Sequence, residues 1–164
     1  MNQDINNGEK VSHWSEDEKL RMIDVSDKNP TRRVAKATGK ILIKDATISL
    51  IRSGETPKGD IFTVSKIAGI NAVKETQFLI PMCHNLNITH CEITFEILKN
   101  AISVETTVKT HNRTGVEMEA LVGTAMALLT IYDMLKPVDK TMVISDLELI
   151  EKSGGKSGDW KKSS

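Results

Sequence analysis

Residues 114–137 limit the fold of this chain more than any other part of its sequence. Two carboxylates, Glu117 and Glu119, open the segment, thirteen residues without a charged side chain follow, and Asp133 and Lys136 close it. An acid and a base three positions apart lie on one face of a helix, so these last two side chains can meet. Their position at the end of so apolar a helix favours a functional role, and a simple surface ion pair is the alternative.

The ends of this helix carry their own signals. Thr114 and Glu117 have the spacing of a capping box, which predicts the helix start near Thr114, and Pro137 predicts its end. One face of a sheet can cover only one side of a helix, yet this helix has apolar side chains on nearly all of its sides. We therefore expect a self-association surface, the alternative being a helix enclosed by its own subunit. The apolar positions include Val116, Leu121, Val122, Met126, Leu129, Ile131, Tyr132 and Leu135.

Composition excludes several classes of protein. Lys plus Arg and Asp plus Glu are both 22 in 164 residues, which argues against a dedicated nucleic-acid binder and leaves phosphate binding to a local cluster of cations. The length predicts one domain. We see no apolar run of transmembrane length and no signal peptide, since residues 1–19 are polar. Cys83 and Cys91 do not make a disulfide framework, so we expect reduced thiols in a cytoplasmic protein.

Three regions follow from the distribution of polar and apolar residues. Residues 1–20 predict a flexible N-terminal tail, residues 21–152 a single folded domain that would hold any catalytic site, and residues 153–164 a glycine-rich, mobile C-terminal tail. Within the domain, apolar periodicity predicts the order β-α-α-β-β-α-β, an α+β, ferredoxin-like fold with an antiparallel sheet covered by helices. The predicted elements are a strand over 31–43, helices over 46–53 and from Asp60 to before Pro81, strands over 90–97 and 102–108, the long helix, and a strand over 142–150.

The long helix poses a geometric problem for any single site. At 100° and 1.5 Å per residue, Glu119 and Asp133 lie within about 40° of each other but about 21 Å apart along the axis. If both are functional, the site must extend along a long ligand or be completed by another protomer. Glu117 also has a purely structural alternative as the capping-box carboxylate.

Basic residues elsewhere predict an anion site. Lys58 precedes a helix N-terminus, where backbone N–H groups favour anions, although a solvated loop lysine is the common alternative. Asp133 and Lys136, together with Arg33 and Lys156, would make a pocket suited to phosphates and proton transfer, in which nearby cations or burial would depress a lysine pKa.

The cysteine and histidine pairs do not predict a metal site. Cys83 and His84 are adjacent, and His90 and Cys91 point to opposite faces of a strand, so the spacing is poor for zinc. His84 follows a proline turn, which suits either a site residue or an ordinary loop histidine. The segment Ser153-Gly-Gly-Lys-Ser lacks the first glycine of a P-loop and its helix, so we expect instead a flexible segment that closes over an anionic ligand.

Seven segments in order resemble the cyclic pyranopterin monophosphate synthase family of molybdenum cofactor biosynthesis, over roughly residues 22–160. Asn85 stands where that family usually has proline. The matching segments are Met22-Ile-Asp-Val-Ser26, Lys58-Gly-Asp60, Ile67-Ala-Gly-Ile70, Leu79-Ile-Pro-Met-Cys-His84, Thr114-Gly-Val-Glu-Met-Glu-Ala120, Leu129-Thr-Ile-Tyr-Asp-Met134 and Lys152-Ser-Gly-Gly-Lys-Ser-Gly-Asp159.

The resemblance implies a lyase that converts a 3′,8-cyclised dihydroguanosine triphosphate into cyclic pyranopterin monophosphate and releases diphosphate. It implies a homohexamer, a trimer of dimers with active sites between subunits, no nucleic-acid or membrane partner, and no required cofactor, with a divalent ion on the triphosphate left open. The catalytic residues that it implies are Asp133, Lys136 and Lys58. The substrate-binding or supporting residues that it implies are Met82, Cys83, His84, Met118, Glu119, Glu117, Asp24, Arg33 and Lys156.

Two other functions remain as alternatives at this point. A non-catalytic homo-oligomer would use its charged residues only for solvation or nucleotide binding, and would release no diphosphate from the cyclised substrate. A nucleoside triphosphate hydrolase would act on GTP itself and would call for a carboxylate metal site, which we cannot assemble from this sequence.

Overall fold

The computed structural model describes residues 20–156 and 158–163 and has the predicted α+β architecture. The elements, in chain order, are β1 (Thr31–Leu42), α1 (Asp45–Ser53), α2 (Ile61–Leu79), β2 (Ile88–Ile97), β3 (Ala101–Asn112), α3 (Glu117–Leu135), β4 (Val143–Ser153) and β5 (Trp160–Lys161). The predicted N-terminal tail, apart from Leu20, lies outside the described residues.

The sheet is antiparallel, with strand order β2-β3-β1-β4-β5. Its first four strands have the arrangement of a ferredoxin-like fold, which confirms the predicted class. β1 is central and shows why the sheet has one buried face: Ala35, Ala37 and Ile41 are fully buried, while Lys36 and Lys40 alternate with them and stay partly exposed. The period of two therefore selects the face on which the helices pack.

Helices α2 and α3 pack closely against each other and against the sheet. Gly69 of α2 and Gly123 of α3 lie at their crossing, where a Cβ atom on Gly69 would be only 2.9 Å from the Gly123 carbonyl oxygen. The two glycines therefore permit a backbone approach that any side chain would prevent. Asp60 caps α2 as predicted, accepting hydrogen bonds from the N–H groups of Phe62 at 3.0 Å and Thr63 at 3.1 Å.

The start of α3 differs from the prediction. Glu117 is the first helical residue, Val116 is the N-cap, and no side chain caps the helix there, so the predicted capping box at Thr114 is wrong. The carboxylate of Glu117 instead folds back across Gly115, whose missing Cβ leaves room for it, and pairs with Lys152 at 3.3 Å. A partner on β4 thus competes successfully with the local cap.

Helix α3 is long and apolar enough, by length and composition alone, to cross a membrane, although its uncharged run is only the thirteen residues between Glu119 and Asp133. Its packing explains the composition. Ala120, Leu128, Ile131 and Leu135 are fully buried against the sheet and α2. The helix is the core helix of this chain.

Asp139, which the sequence did not single out, anchors the loop after α3. Its side chain is fully buried and accepts hydrogen bonds from the Thr141 N–H at 2.9 Å and hydroxyl at 2.8 Å, and from the Lys44 N–H at 3.2 Å. Burial alone would raise the pKa of Asp139, but these bonds and the Lys44 charge hold it at about 2. The loop that carries Lys136 is thereby fixed to the start of α1.

Candidate active site

Asp133 lies in the last turn of α3 and holds two lysine ammonium groups. Lys136 Nζ is 2.7 Å from one carboxylate oxygen, which confirms the predicted contact three residues apart. Lys58 Nζ is 2.9 Å from the other oxygen and also donates to the backbone carbonyl of Asp133 at 2.8 Å. Residues from α3, from its C-terminal cap and from the turn before α2 therefore meet at one exposed point, which we call the lysine–aspartate cluster.

The cluster fixes its own protonation states. Hydrogen bonds from Lys136 and then from Lys58 lower the pKa of Asp133 to about 2. The hydrogen bond with Asp133 and its negative charge raise the pKa of Lys136. At neutral pH Asp133 is a carboxylate and Lys136 an ammonium, and the ion pair makes this ammonium a weaker acid than a free lysine.

Local sequence explains how Lys58 reaches α3. Gly59 has a positive φ of 80°, a conformation that glycine adopts without strain. The chain therefore turns sharply between Lys58 and the N-cap Asp60, and the lysine side chain extends back toward the end of α3.

A small cavity, of about 270 Å³, lies at the opposite end of α3. It collects six of the predicted substrate-binding residues and adds a segment near the N-terminus. Its lining residues are Ile23, Met82, Cys83, His84, Leu86, Thr114, Gly115, Glu117, Met118 and Glu119. We call this the small cavity.

Glu119 is the buried acid of the small cavity. The residue is only 4% exposed, and this burial raises the pKa of its carboxyl to about 7. Burial also raises the pKa of the Cys83 thiol, and the nearby charge of Glu119 raises it further. A carboxyl with a pKa near neutrality can give or take a proton at physiological pH, whereas the thiol stays neutral.

A second cavity, of about 650 Å³, adjoins the first and shares Thr114, Gly115 and Glu117 with it. Four cationic side chains line it, against the single carboxylate of Glu117, so we call it the basic cavity. Its lining residues are Lys28, Asn29, Thr31, Arg33, Arg113, Thr114, Gly115, Glu117, Gly155 and Lys156.

Arg33 is positioned by the backbone around the basic cavity. Its guanidinium donates to the carbonyl oxygens of Gly154 at 3.3 Å and Arg113 at 3.4 Å. Gly155 lies against the same guanidinium, where a Cβ atom would overlap it. Strand β1 and the glycine-rich segment after β4 are thus joined at this cavity, which explains why Lys156 lies beside Arg33.

Sequence reasoning missed three cations here: Lys28 and Arg113 in the basic cavity, and Lys152, which pairs with Glu117. Arg113 directly precedes the Thr114–Ala120 segment, and a motif that began one residue earlier would have included it. No local sequence pattern marks Lys28 as a site residue, since its position at the cavity depends on how the segment before β1 folds.

Two further predicted residues make hydrogen bonds in or near the segment before β1. His84 Nε2 is 2.7 Å from the carbonyl oxygen of Ile23. The carboxylate of Asp24 accepts a hydrogen bond from the Ser26 N–H at 2.8 Å, which closes a turn. Asp24 is exposed and lines neither cavity.

The predicted residues therefore fall into two groups. Lys58, Asp133 and Lys136 meet near the C-terminus of α3, whereas the cavities lie at its N-terminus. The fourteen helical residues from Glu119 to Asp133 correspond to a separation of about 21 Å.

Among the described residues, 20–156 and 158–163, no three His, Cys, Asp or Glu side chains cluster as metal ligands would. Neither cysteine is disulfide-bonded.

Comparison with known proteins gives one consistent result. The cyclic pyranopterin monophosphate synthase of Desulfitobacterium hafniense is 51% identical over 150 residues, covering 91% of this chain and 92% of that protein. The enzyme of the same name from Clostridium perfringens is 51% identical over 153 residues, covering 92% and 97%. A molybdenum cofactor biosynthesis bifunctional protein of Chlorobaculum tepidum is 52% identical over 148 residues, covering 90% of this chain and 47% of that protein.

The family match agrees with these relatives and with the fold. Residues 22–155 match the MoaC family, a span that includes both cavities except Lys156 and the whole lysine–aspartate cluster. The chain belongs to the MoaC family.

Proposed function

We propose that this chain is a cyclic pyranopterin monophosphate synthase of molybdenum cofactor biosynthesis. It is a lyase that converts (8S)-3′,8-cyclo-7,8-dihydroguanosine 5′-triphosphate into cyclic pyranopterin monophosphate and releases diphosphate. The relatives at about half identity carry this name. The observation that carries the proposal is the lysine–aspartate cluster, because it fixes two ammonium groups and one carboxylate at a single point.

The basic cavity suits the triphosphate. Arg33, Arg113, Lys28 and Lys156 line one space, and guanidinium groups bind phosphate oxygens through paired, charge-assisted hydrogen bonds. The buried carboxyl of Glu119 lies in the adjoining small cavity, which Met82 and Cys83 also line. A purine-derived ring, which is flat and carries N–H donors, fits that mixture of apolar walls and carboxylate acceptors.

The cluster supplies the proton transfers. Opening and rebuilding the ring moves protons without net oxidation, so a residue that donates and regains a proton suffices. Lys136 is the donor, and Asp133 holds its ammonium group in place. Cyclisation forms a bond from a substrate hydroxyl oxygen to the α-phosphorus and breaks the bond to the diphosphate, whose developing charge Lys58 and Lys136 stabilise.

The active site is shared between subunits of a homohexamer built as a trimer of dimers. Support comes from the separation of the cluster and the cavities within one subunit. Further support comes from exposed apolar side chains on the helical layer, because such side chains are commonly covered in an assembly. These side chains are Val64, Ile67, Phe78, Leu79 and Leu129. The protein acts in the cytoplasm on a small nucleotide-derived substrate, without a required cofactor, nucleic acid or membrane.

The test measures diphosphate release from the cyclised substrate by purified protein, with GTP as the comparison substrate. Lys136→Ala is expected to lower turnover at least 1,000-fold while the hydrodynamic size stays unchanged, since it removes the proton donor. Lys140→Ala is the matched control, because Lys140 is an exposed lysine of the same loop. Near-normal turnover by Lys136→Ala would refute its role, and release from GTP alone would favour a hydrolase.

A further inference from the structure

Residues 22–28, which we call the strap, contribute one lining residue to each cavity. Ile23 lines the small cavity beside Glu119, and Lys28 lines the basic cavity. The strap precedes β1 and belongs to no helix or strand. Its position therefore determines the shape of both cavities, although the strap itself has no ladder of backbone hydrogen bonds to hold it.

The hydrogen bonds of the strap are mostly internal. Ser26 N–H donates to Asp24, and Lys28 N–H donates to the Val25 carbonyl at 3.1 Å. The hydrogen bond between His84 Nε2 and the Ile23 carbonyl, at 2.7 Å, ties the strap to the turn after α2, and Leu20, just before the strap, forms an isolated β-bridge. A carbonyl oxygen only accepts, so Nε2 carries the hydrogen and donates.

His84 is itself well fixed. It follows α2 on a turn in which Cys83 N–H donates to the Ile80 carbonyl at 3.0 Å, and its side chain lines the small cavity. On the far side of the strap, the hydrogen bonds from Ser26 lower the pKa of Asp24, and the positive charge of Arg113 lowers it further. The strap therefore lies between the turn that carries His84 and the cations of the basic cavity.

We propose that His84 is a positioning residue that holds the strap over the substrate site. Its imidazole keeps Ile23 against the small cavity and, through the closed turn at residues 24–28, keeps Lys28 on the basic cavity. This differs from the direct substrate contact that the resemblance implied for His84. The consequence for substrate binding rests on the proposed function, but the attachment of the strap does not.

The attachment can be measured without substrate, by amide hydrogen exchange of peptides that cover residues 20–30, followed by mass spectrometry. His84→Ala removes the donor, so exchange in these peptides should become about tenfold faster, the effect of losing one net hydrogen bond. His84→Gln keeps an amide donor near the position of Nε2 and should restore most of the protection. His90→Ala is the control, because His90 is an exposed histidine on β2.

Activity gives the second measurement. With the cyclised substrate, His84→Ala should raise KM about tenfold and change kcat less than threefold, because a loose strap weakens binding and not the chemistry at Lys136. Exchange over residues 20–30 that is equally fast in wild type and His84→Ala would overturn the proposal, whatever the activity. A large loss of kcat with normal KM would also overturn it. A wild-type protein without turnover would refute the proposed function instead. The exchange result would still show whether His84 holds the strap in place.

Discussion

At the scale of single residues, Glu119 shows how burial alone can prepare a group for chemistry. It has no cationic partner within the described subunit, and its carboxyl is held at a pKa of about 7 chiefly by burial. The unfolded chain would titrate the same group near its ordinary value of 4.5. Folding therefore disfavours the ionised form of Glu119, and this penalty grows as pH rises above 4.5 and levels off above 7.

Glu119→Gln should remove the penalty while keeping the shape of the side chain. At pH 8 the variant is expected to have a free energy of unfolding about 3 kcal/mol above wild type, and at pH 4 the two should be nearly equal. Urea denaturation across pH 4–9 measures this difference, with Glu92→Gln on the exposed face of β2 as control. A constant difference at all pH values would contradict a raised pKa for Glu119.

The site was predictable from sequence where neighbours in the chain are neighbours in space. Asp133 and Lys136 meet because helical geometry requires it. Lys28 and Asp139 could not be found in that way, because the contacts that place them come from β1, α1 and the segments between. The same limit explains why Glu117 was assigned to a cap when its partner is Lys152, on a distant strand.

At the scale of elements, the crossing of α2 and α3 depends on two glycines. Gly69 faces the backbone carbonyl of Gly123 and the side chain of Ile93, and neither leaves room for a methyl group. Helix propensity alone would favour alanine at both positions. The glycines at these two positions indicate that close packing of the helices outweighs helix propensity. This packing also determines where the two ends of α3 lie on the sheet.

Gly69→Ala should therefore destabilise the protein, by about 1–3 kcal/mol, although it improves helix propensity. Asn71→Ala, at an exposed position of the same helix, should be neutral or slightly stabilising. Thermal and urea unfolding of both variants give the comparison. A more stable Gly69→Ala would show that the helices do not need this approach.

The elements themselves were largely predictable, because the alternation in β1 and the Asp60 cap of α2 are local patterns. Strand β5 was not predicted, since two residues carry no period. It exists because Trp160 and Lys161 pair with Lys152 and Glu151 at the edge of β4.

At the scale of the whole molecule, the separation of the cluster from the cavities sets the main expectation. If neighbouring subunits complete each site, Lys136 of one copy serves the basic cavity of another. Two inactive variants with defects in different halves would then complement each other when mixed, because some sites would receive an intact residue from each subunit.

Lys136→Ala and Arg113→Ala offer such a pair. After unfolding and refolding together in equal amounts, random assembly should restore about a quarter of wild-type diphosphate release, since each half of a site is intact with a chance of about one half. Refolding each variant alone is the control and should restore none. Absence of activity in a mixture that assembles normally would place both residues of a working site on one chain.

The pairing of β5 with β4 has a further consequence for Lys156. The glycine-rich segment does not begin at a free end, because Ser153 and Trp160 fasten it on both sides, and the Gly154 N–H donates to Asp159 at 2.9 Å across its base. A short closed loop loses little conformational entropy when it binds an anion, whereas a free chain terminus would lose much more. Truncation before Trp160 would therefore weaken phosphate affinity through entropy, without removing a single charge from the loop that bears Lys156.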